Sequence, residues 1–183
     1  MKRKLIIIML LITTLLPALV QAKEASVDKL FVGKKPSLNI SFVVTDAFKN
    51  EIEEGIKSGI PTTFTFFVEL YRVRRMWPDK NVAKWTFKHT VKYDNLKEEY
   101  EVTLDDSGKK VRTKDFEEMK LLMVTFDAIE LKTKKPLLKD RRYIMRVMAE
   151  LDTVKLPFLL RHMLFFVKFW DFKTDWYIFR LAL

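Results

Sequence analysis

The segment from Trp85 to Tyr93 alternates apolar and polar side chains with a period of two, and this pattern constrains the fold most. Bulky side chains share one face, whereas threonines and lysines share the other. Because successive side chains of a β-strand point to opposite sides, the pattern predicts a strand with one buried aromatic face and one solvated face. The same period recurs over residues 38–42, 64–70, 100–104 and 143–151.

These repeated strand signals predict a mainly β fold of about seven strands with two or three short helices. The segments 64–70 and 85–93 are expected to pair as a long hairpin, because the sequence Trp77–Lys80 between them is typical of a turn. The expected architecture is an antiparallel β-sandwich with an immunoglobulin-like plan, or an open barrel.

Two helices are expected to begin at Asp46 and Asp115, because aspartate is a preferred helix N-cap. Gly59 suits the left-handed residue that ends the first helix. The apolar spacing of the second helix continues to Phe126. A third, short and apolar helix is expected over residues 157–168, with proline in its first turn.

Residues 1–22 have the three parts of a secretory signal peptide. Three basic residues follow Met1, and an apolar run covers residues 5–16. Val20 and Ala22 then place small side chains three positions and one position before an expected cleavage after Ala22. We therefore expect an exported protein with a lead-in of residues 23–37 and a single β-rich domain of residues 38–183.

Composition excludes several classes of site. The chain has no cysteine, which excludes disulfides, thiolate metal sites and thiol nucleophiles. Its apolar content of 49% is too high for an intrinsically disordered chain.

Catalytic and metal-binding patterns are missing from the sequence. His89 and His162 are far apart and neither has a ligand at metal spacing, so both are interpreted as structural. No G-x-S-x-G nucleophile turn is present. Asp171 and Asp175 are the carboxylate pair least easily explained by turns or solvated helix faces. We expect no enzyme activity and no cofactor, with a carboxylate-based hydrolase at this pair as an alternative.

Basic residues give the stronger functional signal, and they form two clusters, the first within residues 72–75 and the second within residues 132–142. Such clusters attract anionic partners, although they also occur as solvated loops whose arginines stack on tryptophan. Because export argues against nucleic acid as the partner, we expect an envelope protein or an anionic envelope component. The candidate binding surface comprises Arg72, Arg74, Arg75, Trp77, Lys134, Lys135, Arg141, Arg142 and Arg161.

Residues 156–170 form a nearly continuous apolar segment in which Arg161, His162 and Lys168 are the polar exceptions. A helix that is apolar almost all round is either buried or binds something. One interpretation is burial against the sheet, and the other is peripheral contact with a membrane interface.

Several short motifs follow one another in a fixed order along the chain. They are Ser58-Gly59-Ile60-Pro61, Arg72 and Arg75 before Trp77 and Asp79, Tyr93-Asp94, Tyr143, Leu156-Pro157 and Trp176. In this order they resemble an exported proteobacterial family known as domain of unknown function 4390. The resemblance covers the chain from about Leu38 onward and implies a Gram-negative envelope setting, hence the periplasm. It implies no catalytic residues, because the family has no established activity.

Overall fold

The computed structural model describes residues 24–33, 37–152 and 172–182. In this part of the chain there are nine strands and two helices. Their order is β1 (Ser26–Gly33), β2 (Asn39–Thr45), α1 (Asn50–Lys57), β3 (Thr62–Arg72), β4 (Lys80–Asp94), β5 (Glu99–Leu104), β6 (Lys109–Thr113), α2 (Phe116–Val124), β7 (Thr125–Glu130), β8 (Arg142–Leu151) and β9 (Tyr177–Ala182).

The strands form two antiparallel sheets that pack face to face. The smaller sheet has the order β1-β2-β7, and the larger has the order β6-β5-β4-β3-β8-β9. In the described residues neither sheet closes on itself, so the fold is a sandwich and the predicted mainly β class is confirmed. The strand β1 lies within the predicted lead-in and is part of the smaller sheet.

Aromatic rings fill the space between the two sheets. Phe42 of β2 stacks on Phe126 of β7, with ring centroids 4.4 Å apart. Phe66 of β3 meets Phe126 edge-on at 4.6 Å, which joins the larger sheet to the smaller one. All three rings are buried, so β2, β3 and β7 each contribute an aromatic side chain to the core.

The long hairpin predicted from residues 64–70 and 85–93 is confirmed. Strands β3 and β4 pair from Thr62 opposite Val91 to Arg72 opposite Lys80. Strand β3 also pairs along nine residues with β8, so it lies in the interior of the larger sheet. The connection between β3 and β4 therefore protrudes at the end where β8 begins.

The two predicted helix starts have different outcomes. Asp115 is the N-cap of α2, and its side chain accepts hydrogen bonds from the backbone N–H groups of Glu117 and Glu118. The prediction at Asp46 is wrong, because α1 begins at Asn50 with Lys49 in the cap position. Asp46 instead has φ +55°, in the left-handed region.

The far end of the second helix also differs from the prediction. Helix α2 ends at Val124, and Phe126 belongs to β7, where it pairs with Phe42. Pairing with β2 accompanies burial of the Phe126 ring in the core. Gly59 does follow α1 with φ +80°, as expected of a helix stop. The third predicted helix lies outside the described residues.

Candidate functional site

Sheet pairing brings the two basic clusters of the sequence to one end of the molecule. Arg72 is the last residue of β3, and it pairs with Lys80 on one side and with Tyr143 on the other. The next residue, Val73, donates its backbone N–H to the carbonyl oxygen of Arg142 at 2.9 Å. The connection 73–79 thus lies beside the segment that leads into β8.

The connection between β3 and β4 exposes two large apolar side chains. Its shape is supported by the backbone N–H of Arg74, which donates to Oδ1 of Asp79 at 3.2 Å. Met76 is 88% exposed and Trp77 is 74% exposed. These two side chains therefore project from the end of the hairpin without contributing to the core.

The second cluster is attached to the larger sheet by hydrogen bonds with aromatic side chains. Trp85 donates its indole Nε1–H to the carbonyl oxygen of Lys132 at 3.1 Å. The Tyr143 hydroxyl accepts from the backbone N–H of Leu138 at 2.9 Å and donates to its carbonyl oxygen at 3.3 Å. Because both aromatic residues belong to the larger sheet, segment 132–138 is held against it.

A cavity of about 380 Å³ lies between the hairpin and this segment. Its apolar wall includes Val82, Leu137 and Leu138. Cationic side chains also line it, and they come from both clusters: Arg72, Lys80, Lys134 and Lys135.

We call residues 72–80 and 132–142 together the basic end. These two segments contain ten basic residues and two acidic residues, Asp79 and Asp140. In the described part of the chain, none of the ten cations forms an ion pair or stacks on an aromatic ring. The alternative in which the arginines stack on Trp77 or Trp85 is therefore not what these residues do.

Most of the predicted surface residues lie together at the basic end, and sequence reasoning missed Lys80. Arg161 lies outside the described residues. The residues that the fold brings together are Arg72, Arg74, Arg75, Trp77, Lys134, Lys135, Arg141 and Arg142.

A second ionic cluster was missed by sequence reasoning, and it lies on the outer face of the larger sheet. Glu69 of β3 is buried beside Lys84 of β4 and Arg146 of β8, with Nζ and a guanidinium nitrogen each 2.6 Å from its carboxylate. The Tyr71 hydroxyl donates to the same carboxylate at 2.8 Å. The guanidinium also lies over the rings of Tyr71 and Trp176.

The environment of Glu69 strongly favours its charged form. Burial raises the pKa of Glu69, but hydrogen bonds from Lys84, Arg146 and Tyr71 lower it by more than burial raises it. The resulting pKa is about 2. The cluster is thus a nearly closed ionic network. Its only signal in the sequence is that Glu69 and Arg146 interrupt two otherwise apolar strand segments.

The imidazole of His89 is completely buried, so this residue lies in the core. It stacks on the Phe126 ring at 4.4 Å. Its Nδ1 lies 2.9 Å from the carbonyl oxygen of Met123, and its Nε2 lies 2.7 Å from Oδ1 of Asp106. His162 lies outside the described residues.

The other candidate sites are only partly within the described residues. Asp175 is exposed, but Asp171 and the apolar segment 156–170 lie outside this part of the chain. Within the described ranges, no three His, Asp or Glu side chains are grouped as a metal site requires. None of the helices described above is long and apolar enough to cross a bilayer.

Comparison with known proteins links the chain to a family. A protein-family model described as Domain of unknown function (DUF4390) matches residues 24–180. This range covers both helices and every strand except the end of β9, and the match confirms the resemblance drawn from the sequence. No curated protein and no solved structure matches the chain.

Proposed function

The chain belongs to the DUF4390 family of domains of unknown function, and we propose that it is an exported, non-enzymatic binding module whose basic end binds an anionic partner in the periplasm. The partner is an anionic envelope component or an acidic surface of an envelope protein. Export is supported by the leader pattern of residues 1–22.

The observation that carries this proposal is the meeting of two separate basic clusters around one cavity. Residues 72–80 and 132–142 are far apart in sequence, and they meet because β3 pairs with β8. Cations that merely kept the molecule soluble would be spread among acidic neighbours, as in ordinary surfaces. Within the two described segments of the basic end, only Asp79 and Asp140 offset ten cations. The resulting positive potential favours attraction of an anion.

The absence of catalytic activity is part of the proposal. The complete burial of His89 keeps its imidazole away from any substrate in solution. The carboxylate of Glu69 is fully engaged by two cations and a hydroxyl, so it is a poor general base.

The proposal is tested by affinity capture from envelope extracts, followed by protein and lipid mass spectrometry. Three proteins are compared: the wild type, a variant with Arg72, Arg74 and Arg75 changed to alanine, and a control with Lys97, Lys109 and Lys114 changed to alanine. The control removes the same charge from exposed positions outside the basic end. We expect the same anionic component on the wild type and the control, and its loss from the arginine variant.

A component captured equally by all three proteins would contradict a role for the basic end. The same holds if nothing is enriched on the wild type. Melting temperatures of the three proteins establish that each is folded before capture.

A further inference from the structure

We propose that the anionic partner of the basic end is a phospholipid bilayer, with Trp77 and Met76 entering its interface. This inference rests on the function proposed above and specifies its ligand. It concerns the hairpin end that the structure describes, and is independent of segment 156–170.

Large apolar side chains are exposed at the end of the β3–β4 hairpin. Of the eight large hydrophobic residues exposed in the described chain, Met76, Trp77 and Leu138 lie at the basic end. Met76 and Trp77 project beyond the last paired residues of the hairpin, Arg72 and Lys80. A protruding apolar pair suits insertion into a soft layer, and tryptophan is the residue typical of membrane interfaces.

Cationic side chains lie next to these exposed apolar residues. Arg74 and Arg75 directly precede Met76, and cations of segment 132–142 lie on the neighbouring segment. Lysine and arginine have long apolar stems, so their charges can reach lipid phosphates while the stems contact the acyl boundary. An apolar tip surrounded by cations is the arrangement expected of a peripheral protein on an anionic membrane.

The cavity beside the hairpin is lined by both apolar and cationic side chains. Its wall combines the apolar side chains of Val82 and Leu137 with the cations Arg72 and Lys134. A lipid headgroup has the matching chemistry, because it carries a phosphate anion next to the start of an acyl chain. An acidic protein surface would match the cations but would leave the projecting Trp77 without an apolar partner.

The test is co-sedimentation with vesicles of phosphatidylglycerol and phosphatidylethanolamine, compared with vesicles of phosphatidylcholine alone. Every variant is expressed with residues 1–22 in place and is purified in the same way. Any contribution of that segment to vesicle binding is therefore the same for all variants. We expect wild-type binding to the anionic vesicles only, weakened when salt is raised from about 0.1 M to about 1 M. The arginine variant defined above should bind about tenfold more weakly, and the lysine control within about twofold of the wild type.

The variant Met76→Ser with Trp77→Ser separates a bilayer from other anionic ligands, because it leaves every cation in place. We expect it to bind anionic vesicles about tenfold more weakly than the wild type. Brominated lipid should quench the fluorescence of the wild type more than that of Trp77→Phe, which isolates the contribution of Trp77.

Unchanged vesicle binding of the double serine variant would overturn the inference. The inference would also be overturned if the wild type did not bind anionic vesicles but captured a soluble anionic component or an acidic protein through its arginines. In that last case the function proposed for the basic end would stand and only its ligand would be wrong.

Discussion

Both ring nitrogens of the buried His89 face hydrogen-bond acceptors, which fixes how protons are distributed there. Nδ1 must carry a proton to donate to the Met123 carbonyl oxygen. A proton must then also lie between Nε2 and the Asp106 carboxylate, on one atom or the other. The pair ties the turn after β5 to the end of α2 inside an apolar core, so loss of one partner leaves the other buried and unpaired.

Replacing Asp106 tests this pairing. We expect Asp106→Ala to lower the free energy of unfolding by about 2 to 4 kcal/mol, because Nε2 loses its partner. Asp106→Asn should cost about 1 kcal/mol or less, since its amide N–H can donate to an unprotonated Nε2. Urea denaturation measures both values, and Asp105→Ala in the exposed position next to it is the control. Equal losses for the alanine and asparagine variants of Asp106 would contradict the pairing.

The ionic network at Glu69 predicts how stability depends on pH. The folded-state pKa of about 2 lies below the ordinary value of 4.5. The unfolded state therefore binds more protons between these values, so the contribution of Glu69 is present above about pH 4.5 and is lost as the pH falls through about 2.

Comparison of the wild type with Glu69→Gln measures this contribution. We expect the wild type to be more stable by about 1 to 2 kcal/mol near neutral pH, since solvent screens the exposed Lys84 and reduces the full effect. The difference should shrink steadily as the pH is lowered toward 2. A stability difference that stays constant over this range would show that the carboxylate charge does not matter.

At the scale of elements, α2 depends on its N-cap because it is only nine residues long. The Asp115 carboxylate accepts from the backbone N–H groups of Glu117 and Glu118, which have no other intrahelical acceptors. We expect Asp115→Ala to lower the free energy of unfolding by about 1 kcal/mol, whereas Asp115→Asn keeps the acceptor and costs a few tenths. Thermal unfolding provides the measurement. An unchanged free energy of unfolding in Asp115→Ala would contradict the capping role.

Elements with strong local signals could be predicted from the sequence, and so could the β3–β4 hairpin, whose strands are joined by a recognisable turn. Pairings between strands that are distant in sequence could not. The alternation in 85–93 and the capping residue Asp115 act within a few residues of the chain. Phe126 lies in a strand instead of a helix because pairing with β2 outweighs the helical spacing. Asp46 has the right chemistry for a cap, but it lies four residues before the first residue of α1 and has a left-handed backbone conformation.

The same limit applies to the candidate site. Each basic cluster is visible in the sequence, but their meeting depends on Arg72 lying opposite Tyr143 across β3 and β8. Lys80 was missed because only the hairpin register places it beside Arg72. The Glu69–Arg146 contact likewise spans two strands, and no local pattern encodes a cross-strand pairing over that separation.

At the scale of the whole molecule, the proposed function requires that the basic end is delivered across a membrane. The leader pattern makes this testable, because signal peptidases read small side chains at the positions of Val20 and Ala22. We expect the protein in the envelope fraction to begin at Lys23 by N-terminal sequencing. Ala22→Glu should block cleavage and accumulate the precursor, whereas Gln21→Glu introduces the same charge at a position that is not read and should leave processing intact. Cleavage that is equally efficient in both variants, or an intact leader on a cytosolic protein, would remove the periplasmic setting on which the choice of an anionic envelope partner depends.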